Sequence, residues 1–146
     1  MQSALVGLAG GESLWFGANP GEGWARVGFE QIAAWNPDVL IVIDYREGVD
    51  ATVAALRKDP RFASLACGAS GRILGFPQDW YSWDQPDTRW GLGLLWLAKA
   101  LRPAAFSDID IVAEARSFYR LFYGFDAGAF DAQVLPRLKG DYAFGK

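Results

Sequence analysis

Histidine is absent from the 146 residues, and cysteine occurs once. The first absence removes Ser-His and Cys-His nucleophile pairs, the commonest general base and the commonest transition-metal ligand. The second removes any internal disulfide, and Cys67 alone reads as a small buried thiol that is silent about compartment. Basic residues are few and scattered. With 14 Lys and Arg against 17 Asp and Glu, the net charge is -3, which argues against nucleic acid as a partner because phosphate binding needs clustered positive charge. No apolar run approaches the ~20 residues of a membrane span. The opening residues carry no basic segment and too short an apolar stretch for a secretion signal. The chain therefore reads as cytoplasmic or as beginning inside a longer precursor. Gly17, Gly21 and Gly23 make no nucleotide fingerprint, protein ligands for a metal are poorly represented, and no cofactor is implied.

What the sequence has is apolar and aromatic mass. Hydrophobic residues are 51% and aromatics 15%, enough for one folded domain with a sizeable core and no room for a second. The densest stretch runs from Gln78 to Arg102. Its second half is a helix in which Trp90, Leu94, Leu97 and Leu101 recur at three- and four-residue steps, with Leu92, Leu95 and Trp96 widening the band. Such a helix must be buried, and Trp90 and Trp96 are expected in the core. Its first half, Asp79-Trp80-Tyr81-Ser82-Trp83-Asp84, puts three large aromatics and two carboxylates within six residues. These groups are costly in water and hard to bury unpaired, so the loop is expected to face a ligand.

The remaining elements follow from pattern and punctuation. Ser3 to Ala9 predicts a short helix closed by Gly10-Gly11, and Leu14-Trp15-Phe16 a short strand. Gly17 to Gly23 predicts a loop, and Gly28 to Trp35 a helix stopped by Asn36-Pro37. Val39 to Ile43 is an unbroken aliphatic run, as in a strand buried on both faces of a parallel sheet. A helix follows with Asp50 as its N-cap, then a shorter one opened by Asp59-Pro60. Arg72 to Phe76 predicts a second strand that delivers the aromatic loop. Asp108 or Asp110 caps a helix ending at Gly124, an amphipathic piece runs from Ala127 to Leu138, and residues 140–146 are expected to form a loosely held tail.

Several stretches, taken in order, resemble one family. They are Leu8-Ala9-Gly10-Gly11, Gly28-Phe29-Glu30-Gln31-Ile32, Trp35-Asn36-Pro37-Asp38-Val39-Leu40-Ile41-Val42, and Asp59-Pro60-Arg61-Phe62 before Gly71-Arg72-Ile73. Trp83 to Arg89, Leu92 to Lys99 and Pro103 to Phe106 complete the set. The chain resembles the C-terminal lobe of the class III, helical-backbone substrate-binding proteins of ABC importers. These capture iron siderophores, haem, cobalamin and oxyanions between two lobes. The resemblance implies a three-layer α/β/α lobe with a small, mostly parallel sheet, one half of a class III periplasmic binding protein. It implies a preceding lobe and first strand that this chain does not contain. One wall of a cleft without its partner should bind with low affinity at best. An unpaired sheet edge would also favour a homodimer of the isolated lobe.

The implied partners are an ABC permease with its ATPase and a small-molecule or metal-chelate ligand, in a periplasmic or extracytoplasmic setting. Three loops would supply the ligand contacts. Trp15 and Phe16 follow the Gly-Gly turn, with core packing as the plain alternative. Tyr45 and Arg46 follow the aliphatic strand, Arg46 offering a planar fork for an anion and Tyr45 a phenolic donor or a ligand for ferric iron, with an exposed pair in a turn as the plain alternative. Asp79, Trp80, Tyr81, Trp83, Asp84 and Arg89 form the third, although Asp84 or Asp87 can instead cap the long helix with Arg89 as its ion-pair partner. Glu30, Glu47 and Asp59 are the candidates for permease docking. A receptor lobe without catalysis is the leading reading. The rivals are a glycoside hydrolase using Asp79 and Asp84 as a carboxylate pair, and a structural or sensory domain that binds nothing small.

Overall fold

The computed structural model describes residues 2–18, 23–46 and 48–143. Two short strands, β1 (Leu40–Val42) and β2 (Ile73–Gly75), pair in parallel with Leu40 opposite Ile73 and Val42 opposite Gly75. Among the described residues eight α-helices accompany them: α1 (Gln2–Leu8), α2 (Phe29–Trp35), α3 (Val49–Lys58), α4 (Pro60–Ala63), α5 (Ala66–Ala69), α6 (Trp90–Leu101), α7 (Ile111–Tyr123) and α8 (Ala127–Gln133).

The strand pleat sorts the core into two layers. Successive side chains on a strand point to opposite faces, and the packing follows that alternation. Val39, Ile41 and Ile43 join Leu74 and Phe76 against α1, α6, α7 and α8, in a cluster built on Trp83, Trp96, Leu97 and Phe130. Leu40, Val42 and Ile73 face the other way, against Phe29, Ile32, Leu56, Phe62, Leu65 and Cys67. Helices thus cover both faces of the sheet, the three-layer arrangement the unbroken aliphatic run predicts.

Local chemistry sets several element boundaries. Asp59 accepts from the Arg61 amide to open α4, and Asp110 accepts from Val112 and Ala113 to open α7. Asn36 and Gly124 close α2 and α7 in the left-handed region. At Gly93 a side chain would have no room: a Cβ there would lie 2.4 Å from the Trp83 carbonyl oxygen. This close approach locks the aromatic loop onto α6. Trp83 and Trp96 are both fully buried, each contributing on the order of 1.5–3 kcal/mol of apolar burial.

Four expectations need correction. Leu14 to Phe16 makes a turn leading into a single 3-10 turn at Phe16–Ala18 rather than a strand. Asp50 lies inside the first turn of α3, behind an N-cap at Gly48, and its carboxylate accepts from the Gly140 amide. Trp90 is 44% exposed; it shares a stripe with Leu97 but stands at the first residue of α6, where the described chain leaves it uncovered. Residues Gly140 to Tyr142 are pinned instead of loose. The Asp141 backbone N–H donates to Gly75 O, and its carboxylate accepts from Gly75 N and from Arg57. Arg57 in turn donates twice to Ile73 O. The outer edge of β2 is therefore closed by the Arg57–Asp141 pair, while β1 has no second strand among the described residues. Residues 144–146 of the expected tail lie outside the described residues.

Candidate ligand-binding site

Because β1 and β2 run in the same direction, the segments that leave their carboxyl ends emerge on one edge of the sheet. After β1, Asp44 turns the chain by accepting from the Arg46 amide at 2.8 Å and from Thr52 Oγ1 at 2.6 Å. Tyr45 projects from this turn. After β2, the loop folds back on itself: Trp83 N donates to Pro77 O, Asp79 N to Tyr81 O, and Gln78 exchanges hydrogen bonds with Lys139. The two turns meet at a carboxylate.

That carboxylate is Asp84, only 1% exposed. Its Oδ2 accepts from Tyr45 Oη at 2.5 Å and from Gln2 Nε2 at 2.8 Å. Its Oδ1 is buried without a hydrogen-bond partner among the described residues, as is the neighbouring Ser82 Oγ. An unmatched buried acceptor costs about 1–3 kcal/mol, more when charged. Burial, the hydrogen bond to Asp84 and the Asp84 charge together push the Tyr45 phenol up to about 12. Tyr45 therefore stays protonated and donating through the neutral range.

Around this floor lies an open cavity of about 650 Å³, lined by Gln2, Trp24, Tyr45, Trp80, Tyr81 and Asp84 together with Gln78, Asp79, Ser82, Gln85 and Pro86. Its rim is aromatic. Trp24 is 79% exposed, Tyr81 63%, Tyr45 49% and Trp80 44%, and Trp24 meets Tyr45 edge-on at 6.2 Å between ring centroids. Exposed flat rings around a concave surface are the usual composition of a small-molecule site.

Asp79, in the same loop, has the opposite fate. Its side chain is fully buried and completely engaged. Oδ1 accepts from Arg89 Nη1 at 2.8 Å and from the Tyr81 amide; Oδ2 accepts from Trp83 Nε1 at 2.9 Å and Tyr119 Oη at 2.6 Å. Arg89 also forks onto Asp87. Burial works against the Arg89 charge, but Asp87 and Asp79 outweigh it and hold the guanidinium firmly protonated. Burial, with the Asp79 hydrogen bond and charge, raises the Tyr119 phenol well above its ordinary value.

The expected site residues thus divide. Tyr45, Trp80, Tyr81, Asp84 and Asp79 line the cavity, although only an already saturated carboxylate is offered by Asp79. Trp83 is in the core, its ring buried and its indole N–H spent on Asp79. Arg89 is a strut of the loop, bonded to Asp79 and Asp87; Asp87, one of the two candidate caps, also accepts at its carbonyl from the Trp90 amide. Trp15, Phe16 and Arg46 do not line the cavity. Glu30 is exposed on the first turn of α2, Asp59 is committed to Arg61 at 2.7 Å, and Glu47 lies outside the described residues. Trp24 and Gln2 were missed. An isolated tryptophan beside a glycine-rich loop was the available signal for the first; nothing local marks the second. Among the described residues no group of His, Cys, Asp and Glu is arranged to hold a metal ion, and no helix is long and apolar enough to cross a membrane.

Comparison with known proteins defines the class. No family model matches the chain. Over 103 residues, 70% of its length, it is 30% identical to the molybdate-binding protein MolA of Haemophilus influenzae. The solved structure of MolA bound to molybdate, a periplasmic binding protein of an ABC transporter, aligns with a TM-score of 0.68 at 26% identity, over 85% of this chain and 37% of that one. The fold is shared with a periplasmic solute binding protein of Veillonella parvula, with a TM-score of 0.69 at 21% identity over 91% of this chain and 41% of that one. It is shared also with Helicobacter pylori CeuE in a Ni-His complex, with a TM-score of 0.69 at 19% identity over 92% of this chain and 42% of that one. The chain spans 28% of the length of the curated relative. MolA is a periplasmic binding protein of an ABC transporter, the Veillonella protein is a periplasmic solute binding protein, and this chain has the fold of a single lobe of such a protein, as the sequence resemblance implies.

Proposed function

We propose that the chain is the ligand-contacting lobe of an extracytoplasmic solute-binding component of an ABC importer, and that it binds without chemistry. The observation that carries this reading is the ring of four exposed aromatics, Trp24, Tyr45, Trp80 and Tyr81, around one concave opening. Their flat faces suit an iron chelate, haem or cobalamin. An oxyanion is the second reading, favoured by the 30% identity to a molybdate-binding protein. Docking to a permease is assigned to Glu30 or Glu47, Asp59 being paired with Arg61. A homodimer would form at the unpaired edge of β1.

The hydrolase rival loses its carboxylate pair. Asp79 accepts four hydrogen bonds, one from a guanidinium, and has no capacity left to shuttle protons. Calorimetric titration with a ferric hydroxamate, haem, cobalamin and molybdate tests the proposal. A chelate or macrocycle should bind, and Trp80→Ala with Tyr81→Ala should weaken it about tenfold or more, two stacking contacts at ~0.5–1.5 kcal/mol each. Glycoside turnover that vanishes in Asp84→Asn, or ligand binding indifferent to both aromatic changes, would overturn it.

A further inference from the structure

We propose that the floor of this cavity selects a ligand group that donates hydrogen bonds or carries positive charge, with Asp84 as the reader and Ser82 beside it. The inference rests on the aromatic-rim reading above and goes further, because it fixes the polarity of the group that the rings hold. No lysine or arginine lines the cavity among the described residues. Its charged lining consists of Asp79, whose charge is answered by Arg89, and Asp84, which has only the neutral donors Tyr45 and Gln2.

The geometry of Asp84 makes it a receptor of donors. One oxygen is saturated by Tyr45 and Gln2, which fix the plane of the carboxylate; the other is buried with no partner among the described residues, as is the hydroxyl of Ser82, two positions earlier in the same lining. A buried acceptor in this condition gains most from a ligand N–H or a cationic group, because charge-assisted hydrogen bonds strengthen as water is excluded. A bare anion at the same place meets an uncompensated negative charge. An amidinium, guanidinium, ammonium or amide-bearing edge of the ligand therefore points at Asp84 while its flat portion lies against Trp80 or Trp24. Gln78 and Gln85, also in the lining, add neutral groups that tolerate either polarity and so leave the choice to Asp84.

Benzamidinium and benzoate, nearly equal in shape and opposite in charge, are suitable probes for NMR titration of the chain at neutral pH. Benzamidinium should bind about tenfold more tightly than benzoate. Asp84→Asn, checked for native circular dichroism, should reduce that preference to less than about threefold, a residual amide acceptor being weaker than a carboxylate. Tyr45→Phe keeps the ring and leaves the second oxygen of Asp84 with Gln2 as its donor, so it should preserve or enlarge the preference even if Asp84→Asn does not fold. Equal binding of the two probes, or a preference for benzoate, overturns the role of Asp84 and leaves the aromatic reading standing. Binding of neither probe overturns both.

Discussion

Asp79 and Asp84 lie five positions apart in one loop, yet the chain treats them in opposite ways. Asp79 is given four donors, one of them a guanidinium, and ties the loop to α6 and α7 through Arg89 and Tyr119. Asp84 is given two neutral donors on one oxygen and none on the other, at the bottom of an open cavity. Burial alone leaves the two carboxylates alike. The count of satisfied lone pairs separates them.

Removing the structural carboxylate should have the largest effect. Asp79→Ala leaves Arg89 without a buried partner and strips acceptors from Trp83 and Tyr119. A loss of about 3–5 kcal/mol is expected in urea unfolding. A loss under about 1 kcal/mol would erase the contrast. Tyr45→Phe comes next, costing about 1 kcal/mol for one donor to Asp84. It also has a pH signature. The folded pKa of Tyr45 is raised from 10.0 to about 12, so its contribution is complete below pH 10 and is lost as pH rises toward about 12. Tyrosinate absorbance should show one phenol titrating late near that value, and Tyr45→Phe should abolish the step. Smallest are Trp80→Ala and Tyr81→Ala. Exposed rings at a cavity rim should change stability by no more than about 0.5 kcal/mol while weakening ligand binding, a separation that marks them as binding groups.

Legibility from sequence followed the range of the forces. The aliphatic run at Val39 to Ile43 specifies a doubly covered strand because its side chains themselves demand apolar neighbours on both faces, and the caps at Asp59, Asp110 and Gly124 act within a turn of their own position. The site was legible in part: Tyr45, Trp80, Tyr81 and Asp84 were singled out and do line the cavity. Their division of labour with Trp83, Asp79 and Arg89 was not legible, since identical residue types in one loop are separated by partners far along the chain. Tyr119 is 40 residues from Asp79, and Gln2 is 82 from Asp84. The anchoring of residues 140–142 is hidden for the same reason: Asp141 looks like a solvated acid until Arg57 and Gly75 arrive beside it.

The parallel strands direct Tyr45 and the aromatic loop to one shared cavity wall, the proposed seat of the ligand. Backbone amide shifts, mapped residue by residue while benzamidinium is added, test it most directly. The changes should gather at Trp24, Tyr45 and Trp80 to Gln85. Changes that gather on the exposed Leu121–Phe122 surface of α7, or along the open edge of β1, while that loop stays silent, would contradict it.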